Sequence, residues 1–204
     1  GVTPTTTLPI ETPTSTPPIE TPTSTIPTDI TTSTPETSTT TVFAVTPVVI
    51  SEIAWAGTGA KTSSDEWIEL YNNTDSAIDL AGWNLFVSTT PIALTGEISP
   101  HSYYLMERTS DDTVLNVPAD LVFTLQNGLK NSGEGLILKN FDNEIVDEVD
   151  CSKEWFAGTA GSGSYPQAKY RSMERKNPLA SGNITDNWQT NIGQPVLGKN
   201  NFGI

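Results

Sequence analysis

A chain that sets one histidine and one cysteine against 24 carboxylates has little with which to do covalent or general-base chemistry. His101 sits in Pro100-His101-Ser102, a turn leading into Tyr103-Tyr104-Leu105, where a lone imidazole reads as a surface residue. Cys151 needs a basic partner before it can act as a nucleophile. Its neighbours Asp147, Glu148 and Asp150 oppose a thiolate, so an inert or half-buried thiol is expected. There is no Gly-x-Ser-x-Gly elbow, no Gly-Lys-Ser/Thr phosphate loop, no His-Glu-x-x-His helix and no Cys-x-x-Cys pair. The glycine-rich stretch Gly158–Ser164 lacks the Gly-x-Gly-x-x-Gly spacing and a following helix, and reads as a flexible loop. The chain is expected not to be an enzyme, with no catalytic, cofactor-binding or metal-ligating residue assigned.

Carboxylates crowd at Asp65, Glu66 and Glu69, at Asp111 and Asp112, and at Asp142, Glu144, Asp147, Glu148 and Asp150. Calcium, which gathers about six to eight oxygens, can be held by the loops of a β-sandwich. None of these runs has the EF-hand spacing with its central glycine, so a solvated acidic face is expected. Calcium at the loops near Asp65, Glu66, Asp111 and Asp112 is left open. Two Asn-x-Thr sequons begin at Asn72 and Asn183, and matter only in a host that glycosylates such sites.

The formal net charge is −14. Four of the acids, Glu11, Glu20, Asp29 and Glu36, precede residue 45, which leaves twenty acidic against ten basic residues beyond it, a net of about −10. Such a surface repels phosphate backbones, so no nucleic-acid partner is expected. Five bases do fall late, at Lys169, Arg171, Arg175, Lys176 and Lys199, the one place where a local basic patch can form. No run of 18 apolar residues and no basic-plus-apolar N-terminal signal occurs, so no membrane span and no export signal are expected within these residues. A single cysteine rules out an internal disulfide.

Two materials make up the chain. Residues 1–41 contain 18 Thr, 8 Pro and 4 Ser, and no Lys, Arg or aromatic residue. The octapeptide Pro-Ile-Glu-Thr-Pro-Thr-Ser-Thr occurs at 9–16 and again at 18–25. Such a composition cannot bury enough apolar surface to offset its conformational entropy. Residues 1–44 are therefore expected to be a disordered, extended linker or stalk, of a type often O-glycosylated. Residues 45–204 are expected to be one folded domain and contain all five tryptophans. Their apolar pattern is β throughout, with strands over Val48–Ala54, Glu66–Asn72, Trp83–Ser88, Ile92–Leu94, Ser102–Glu107, Leu121–Leu125, Gly135–Lys139 and Glu144–Asp150. Eight or nine short strands with frequent turns predict an all-β antiparallel sandwich. Alternation places Ile68 and Leu70 on the core side and Trp67, Glu69 and Tyr71 on the other. Gly82 permits the turn that swings Trp83 inward, and Asp142-Asn143 suits a hairpin turn with positive φ. Glu52, Glu66 and Glu69 are expected to accept hydrogen bonds from backbone or from Arg171 or Arg175.

Three segments then carry a resemblance: Ser51-Glu52-Ile53-Ala54-Trp55, Asp65-Glu66-Trp67-Ile68-Glu69-Leu70-Tyr71-Asn72 and Asp79-Leu80-Ala81-Gly82-Trp83-Asn84-Leu85. In order after them come Leu136-Ile137-Leu138-Lys139, Ile145-Val146-Asp147-Glu148-Val149, Ser172-Met173-Glu174-Arg175 and Asp186-Asn187-Trp188. Together they resemble a lamin-tail domain of bacterial type over most of 47–201. Ser51 stands where that family usually has Asn, and Val196-Leu197-Gly198 replaces its Thr-Pro-Gly. The resemblance implies an immunoglobulin-like β-sandwich that binds, tethers or scaffolds. The expected function is a non-catalytic interaction or tethering module on a flexible stalk, part of a larger extracellular or cell-surface protein. Its expected partner is a protein or a cell-surface glycan. The alternative is an accessory domain of a secreted hydrolase or nuclease whose catalytic domain lies outside these residues.

Overall fold

The structure, a computed structural model, describes residues 45–58, 64–114, 117–161 and 170–192. The expected stalk at 1–44, the turn at Val196–Gly198, the bases Lys169 and Lys199, and residues 162–164 of the glycine-rich loop lie outside the described residues. Among the described residues twelve strands run in chain order: β1 Val48–Ala54, β2 Trp67–Asn72, β3 Ile78–Asp79, β4 Asn84–Val87, β5 Thr90–Ala93, β6 Glu97–Ile98, β7 Tyr103–Arg108, β8 Leu121–Phe123, β9 Gly135–Lys139, β10 Ile145–Asp150, β11 Met173–Arg175 and β12 Trp188–Thr190. A single 3₁₀ turn, Thr185–Asn187, precedes β12, and no α-helix occurs among the described residues.

Two sheets face each other. One has the order β12-β11-β1-β2-β7-β8 and the other β10-β9-β4-β5, with β3 and β6 forming a small separate pair. Pairing is antiparallel as expected, except that β8 runs parallel to β7. The exception has a local cause. Thr113 and Val114 donate their N–H groups to Glu107, Leu105 donates its N–H to the Asp120 carboxylate, and β8 then runs alongside β7 in the same direction.

The core lies between the sheets. Ile53 faces Ile68 and Ile50 faces Leu70 across β1 and β2, and all four are fully buried there. Leu85, Leu136, Leu138 and Val149 meet them from the opposite sheet. The alternation therefore holds: Ile68 and Leu70 point inward, while Trp67 packs on the far side with Ala54, Leu105 and Val114. All seven residues of β1 are buried because it is a central strand covered on both faces.

All eight expected strands are present with ends within two residues of those expected, the three-residue β8 included, and four further short strands were not expected. Strands β3, β6, β11 and β12 span two or three residues each, too few to show a period. Leu94 and Leu125 are buried just beyond the ends of their strands. Gly158 and Thr159, part of the loop expected to be flexible, are pinned by a bond to Thr190 and a bridge to Arg171.

Two turns follow their sequence chemistry. Trp83 N–H bonds Leu80 carbonyl across a turn in which Gly82 has φ +80°, and Trp83 is left 6% exposed. Between β9 and β10, Asn143 carries the positive φ of 64° while the side chain of Asn140 accepts from Asp142 and Glu144. Trp83→Ala removes a buried indole and leaves a cavity, so it should cost about 3–5 kcal/mol in chemical denaturation. Asp142→Ala, at an exposed turn, should cost under about 1 kcal/mol by the same measurement.

Candidate functional site

Three glutamates form a row across the outer face of the six-stranded sheet. The register sets Glu52 of β1 opposite Glu69 of β2 on one side and opposite Glu174 of β11 on the other. Ser172 donates its hydroxyl to Glu52, Asn191 Nδ2 donates to the same oxygen at 2.7 Å, and Ser51 Oγ donates to Glu69 at 2.9 Å. Burial pushes Glu52 up to about 7 against these bonds, with Glu174 adding to the rise. Burial also carries Glu69 well above the ordinary carboxylate range, reinforced by Glu52. A carboxyl poised near neutrality is what general acid–base work needs. Here Glu52 is buried, one of its oxygens accepts from both a hydroxyl and an amide at the ends of neighbouring strands, and it lines neither of the two clefts described below.

The cations go elsewhere than expected. Arg175 does not serve the glutamate row; it points between the sheets, 1% exposed, and holds Asp147 of β10 through two bonds of 2.6 and 3.2 Å. Asp147 also accepts Ile50 N–H at 2.9 Å, while Arg175 donates to the carbonyls of Ile50 and Ala180 and lies over the Trp188 ring. Arg171 donates to Asn191 carbonyl. The partner of Glu66 is Arg108, at 3.0 Å, together with Leu129 N–H at 3.0 Å. Burial nevertheless raises Glu66 to about 7. Of the late bases, Arg175 is thus buried and contributes to no surface patch, while Lys169 and Lys199 lie outside the described residues.

The remaining reactive groups are equally committed. His101, exposed and with φ 49°, meets only exposed Asp75 at 2.8 Å. Cys151 is fully buried, and burial, helped by Asp150, pushes its thiol up to about 11. Asp65 accepts from Thr58, Asp111 from Ala119 N–H, and Asp112 from Ser110. Among the described residues no three His, Cys, Asp or Glu side chains converge as a metal ion would need. Of the two sequons, Asn72 is fully buried and donates to the carbonyls of Ser76, Ile98 and Ser99, whereas Asn183 is exposed.

Among the described residues, two clefts open to solvent. The first, about 290 Å³, is walled by Asp150, residues 152–156 and Thr185. The second, about 240 Å³, is lined by Ser88, Thr90, Gln126, Asn127, Lys130 and Glu134. The first is set on a rigid base. The indole of Trp155 stacks on Trp55 with centroids 5.7 Å apart and planes at 5°, and its N–H bonds Lys130 carbonyl. Cys151 N–H bonds Glu134 carbonyl, and Asp150 N–H bonds the side chain of Asn183. Hydrogen bonds from Ser152, its hydroxyl first, hold Asp150 below the usual carboxylate range. No sequence signal marked this loop, because the turn at Asp150–Ser152 and the return of Thr185 build it from residues distant in the chain.

Two outcomes check this account. Glu52 binds its proton more tightly folded than unfolded, so its stabilisation is complete below the ordinary carboxylate pKa and is lost as pH rises through about 7. At about 1.4 kcal/mol per tenfold change in proton affinity, Glu52→Gln should gain stability over the parent as pH climbs from about 4.5 to 7. Urea titrations at several pH values read the difference, and a gap that does not widen would refute it. Asp147→Asn, which leaves Arg175 buried without its counter-charge, should cost about 3–5 kcal/mol in the same titration.

The family model of the Lamin Tail Domain matches residues 41–153. No curated protein matches the chain.

Proposed function

The chain belongs to the Lamin Tail Domain family, and from that premise we propose that its work is attachment, with residues 1–44 as a stalk that holds the domain out from an extracellular or cell-surface assembly. The family's fold is the immunoglobulin-like sandwich described above, and its domains are in general non-catalytic modules of the protein-interaction type. The observation that carries the reading is the fate of the polar signature residues. Glu52, Glu66, Asp147, Ser172 and Arg175 are all turned to internal hydrogen bonds, which leaves surface loops and clefts to meet a partner. The partner is a protein or a cell-surface glycan. Among the described residues no helix is long and apolar enough to cross a membrane. The acidic charge and the burial of Arg175 speak against a nucleic-acid partner.

The full chain coupled to beads should retain intact producing cells saturably. It should show no turnover of ester, peptide, phosphodiester or glycoside substrates. Protease or periodate treatment of the cells separates the two kinds of partner. Turnover abolished by Glu52→Gln, or beads that retain no cells, would overturn the reading.

A further inference from the structure

We infer that the cleft walled by Asp150, residues 152–156 and Thr185 is a binding subsite for a neutral saccharide of one or two rings. This rests on the attachment reading and names the ligand class of one site within it.

The chemistry of the lining selects the ligand. Lys153, Ser152 and Thr185 offer donors, while Asp150 and Glu154 offer acceptors, all at exposed positions around one small space. A basic side chain only donates, and would face Lys153. An acidic group only accepts, and would face Asp150 and Glu154 in a chain of net charge −14. A hydroxyl both donates and accepts, so a polyhydroxylated ligand suits every group present, and its C–H faces also suit the aromatic side of the cleft. Beneath the polar rim lie Trp155 and half-buried Phe156, which supply an apolar wall for the C–H face of a sugar ring. A volume of about 290 Å³ sits at the low end of small-ligand sites, which limits the occupant to a short saccharide.

The cleft is also preformed. The stacked Trp55–Trp155 pair and the bond from Trp155 to Lys130 carbonyl fix the aromatic side. Asn183 and Ser152 fix the backbone and carboxylate of Asp150. Gly182 lies so close to β10 that a Cβ there would run into the carbonyl of Glu148, which keeps the Asn183 loop pressed against the cleft's edge. Little ordering is left for the ligand to impose, the condition under which a small site binds measurably.

The test is amide and side-chain NMR of the full chain titrated with a panel of neutral monosaccharides and disaccharides. Shift changes should centre on 150–156 and Thr185, with dissociation constants on the order of millimolar. Phe156→Ala should weaken binding about tenfold, and Asp150→Asn should weaken it with the melting temperature nearly unchanged. Lys139→Ala, at the opposite end of the β9–β10 pair from Asp150, should bind as the parent does. Saccharide binding that survives both cleft variants would place the sugar elsewhere and overturn the inference. So would the absence of any shift across the panel. Cell retention that persists without sugar binding would leave the attachment reading standing, whereas loss of cell retention would remove it as well.

Discussion

Between the two sheets lies a charge that cannot be left alone, the guanidinium of Arg175, and the sandwich is arranged around its neutralisation. Arg175 comes from β11 and Asp147 from β10, so their pairing ties the six-stranded sheet to the four-stranded one. The pair also resolves a backbone problem. Strand β1 has a bulge between Ile50 and Glu52, where the ladder with β2 shifts register. The N–H of Ile50 goes to Asp147 and its carbonyl to Arg175. Buried backbone groups at an interrupted ladder need such partners, since an unmet one costs about 1–3 kcal/mol. Arg175 further reaches Ala180 carbonyl, anchoring the segment that covers the edge of β10. An ion pair of this kind adds little net stability over a well-packed apolar substitute. Its effect is to allow one register and one docking of the two sheets.

The acidic composition takes on a different meaning once carboxylates are found inside. Glu52, Glu66, Glu107, Glu174 and Asp147 are all buried. Glu107 caps two N–H groups of the loop that follows β7, and Glu66 takes Leu129 N–H beside Arg108. In a β-sandwich the backbone groups at strand ends and bulges are numerous and awkward to pair, and a carboxylate can accept several of them at once. The expected solvated acidic face therefore describes residues such as Asp142 and Glu144, which are exposed, and not Asp147 on the neighbouring strand.

Much of the fold was legible in the chain. Apolar, β-branched-rich runs bounded by turn residues located β1, β2, β7, β9 and β10, and alternation along β2 put Ile68 and Leu70 in the core and Trp67 on the far face. Gly82 and Asn143 revealed their turns because positive φ selects few residue types. Illegible features were those fixed by distant partners. Nothing local distinguishes Arg108 from Arg171 as the partner of Glu66, 42 residues away. The three-residue strands β11 and β12 exist only because β1 offers an edge to extend. The sequon at Asn72 looks the same as that at Asn183, yet one amide closes a turn in the interior and the other faces solvent. The cleft beside Trp155 was equally invisible, because its walls meet only after β10 and the Thr185 turn are placed.

The division between signature and surface bears on where specificity can reside. Buried residues that pair with one another cannot vary independently: changing Asp147 alone strands Arg175 between the sheets, and changing Ser172 alone removes a donor from Glu52 within one sheet. Such a set defines a scaffold and says nothing of what the scaffold holds. The loop Ser152–Phe156 is under weaker constraint. Its backbone is fixed by Cys151 and Trp155, while Ser152, Lys153 and Glu154 project into solvent. Each of those three can change without disturbing the core contacts that hold the loop in place. A rigid frame that carries freely variable polar side chains around an aromatic wall is the arrangement in which recognition can be altered without refolding. The cleft has that arrangement; the glutamate row, locked into its own sheet, does not.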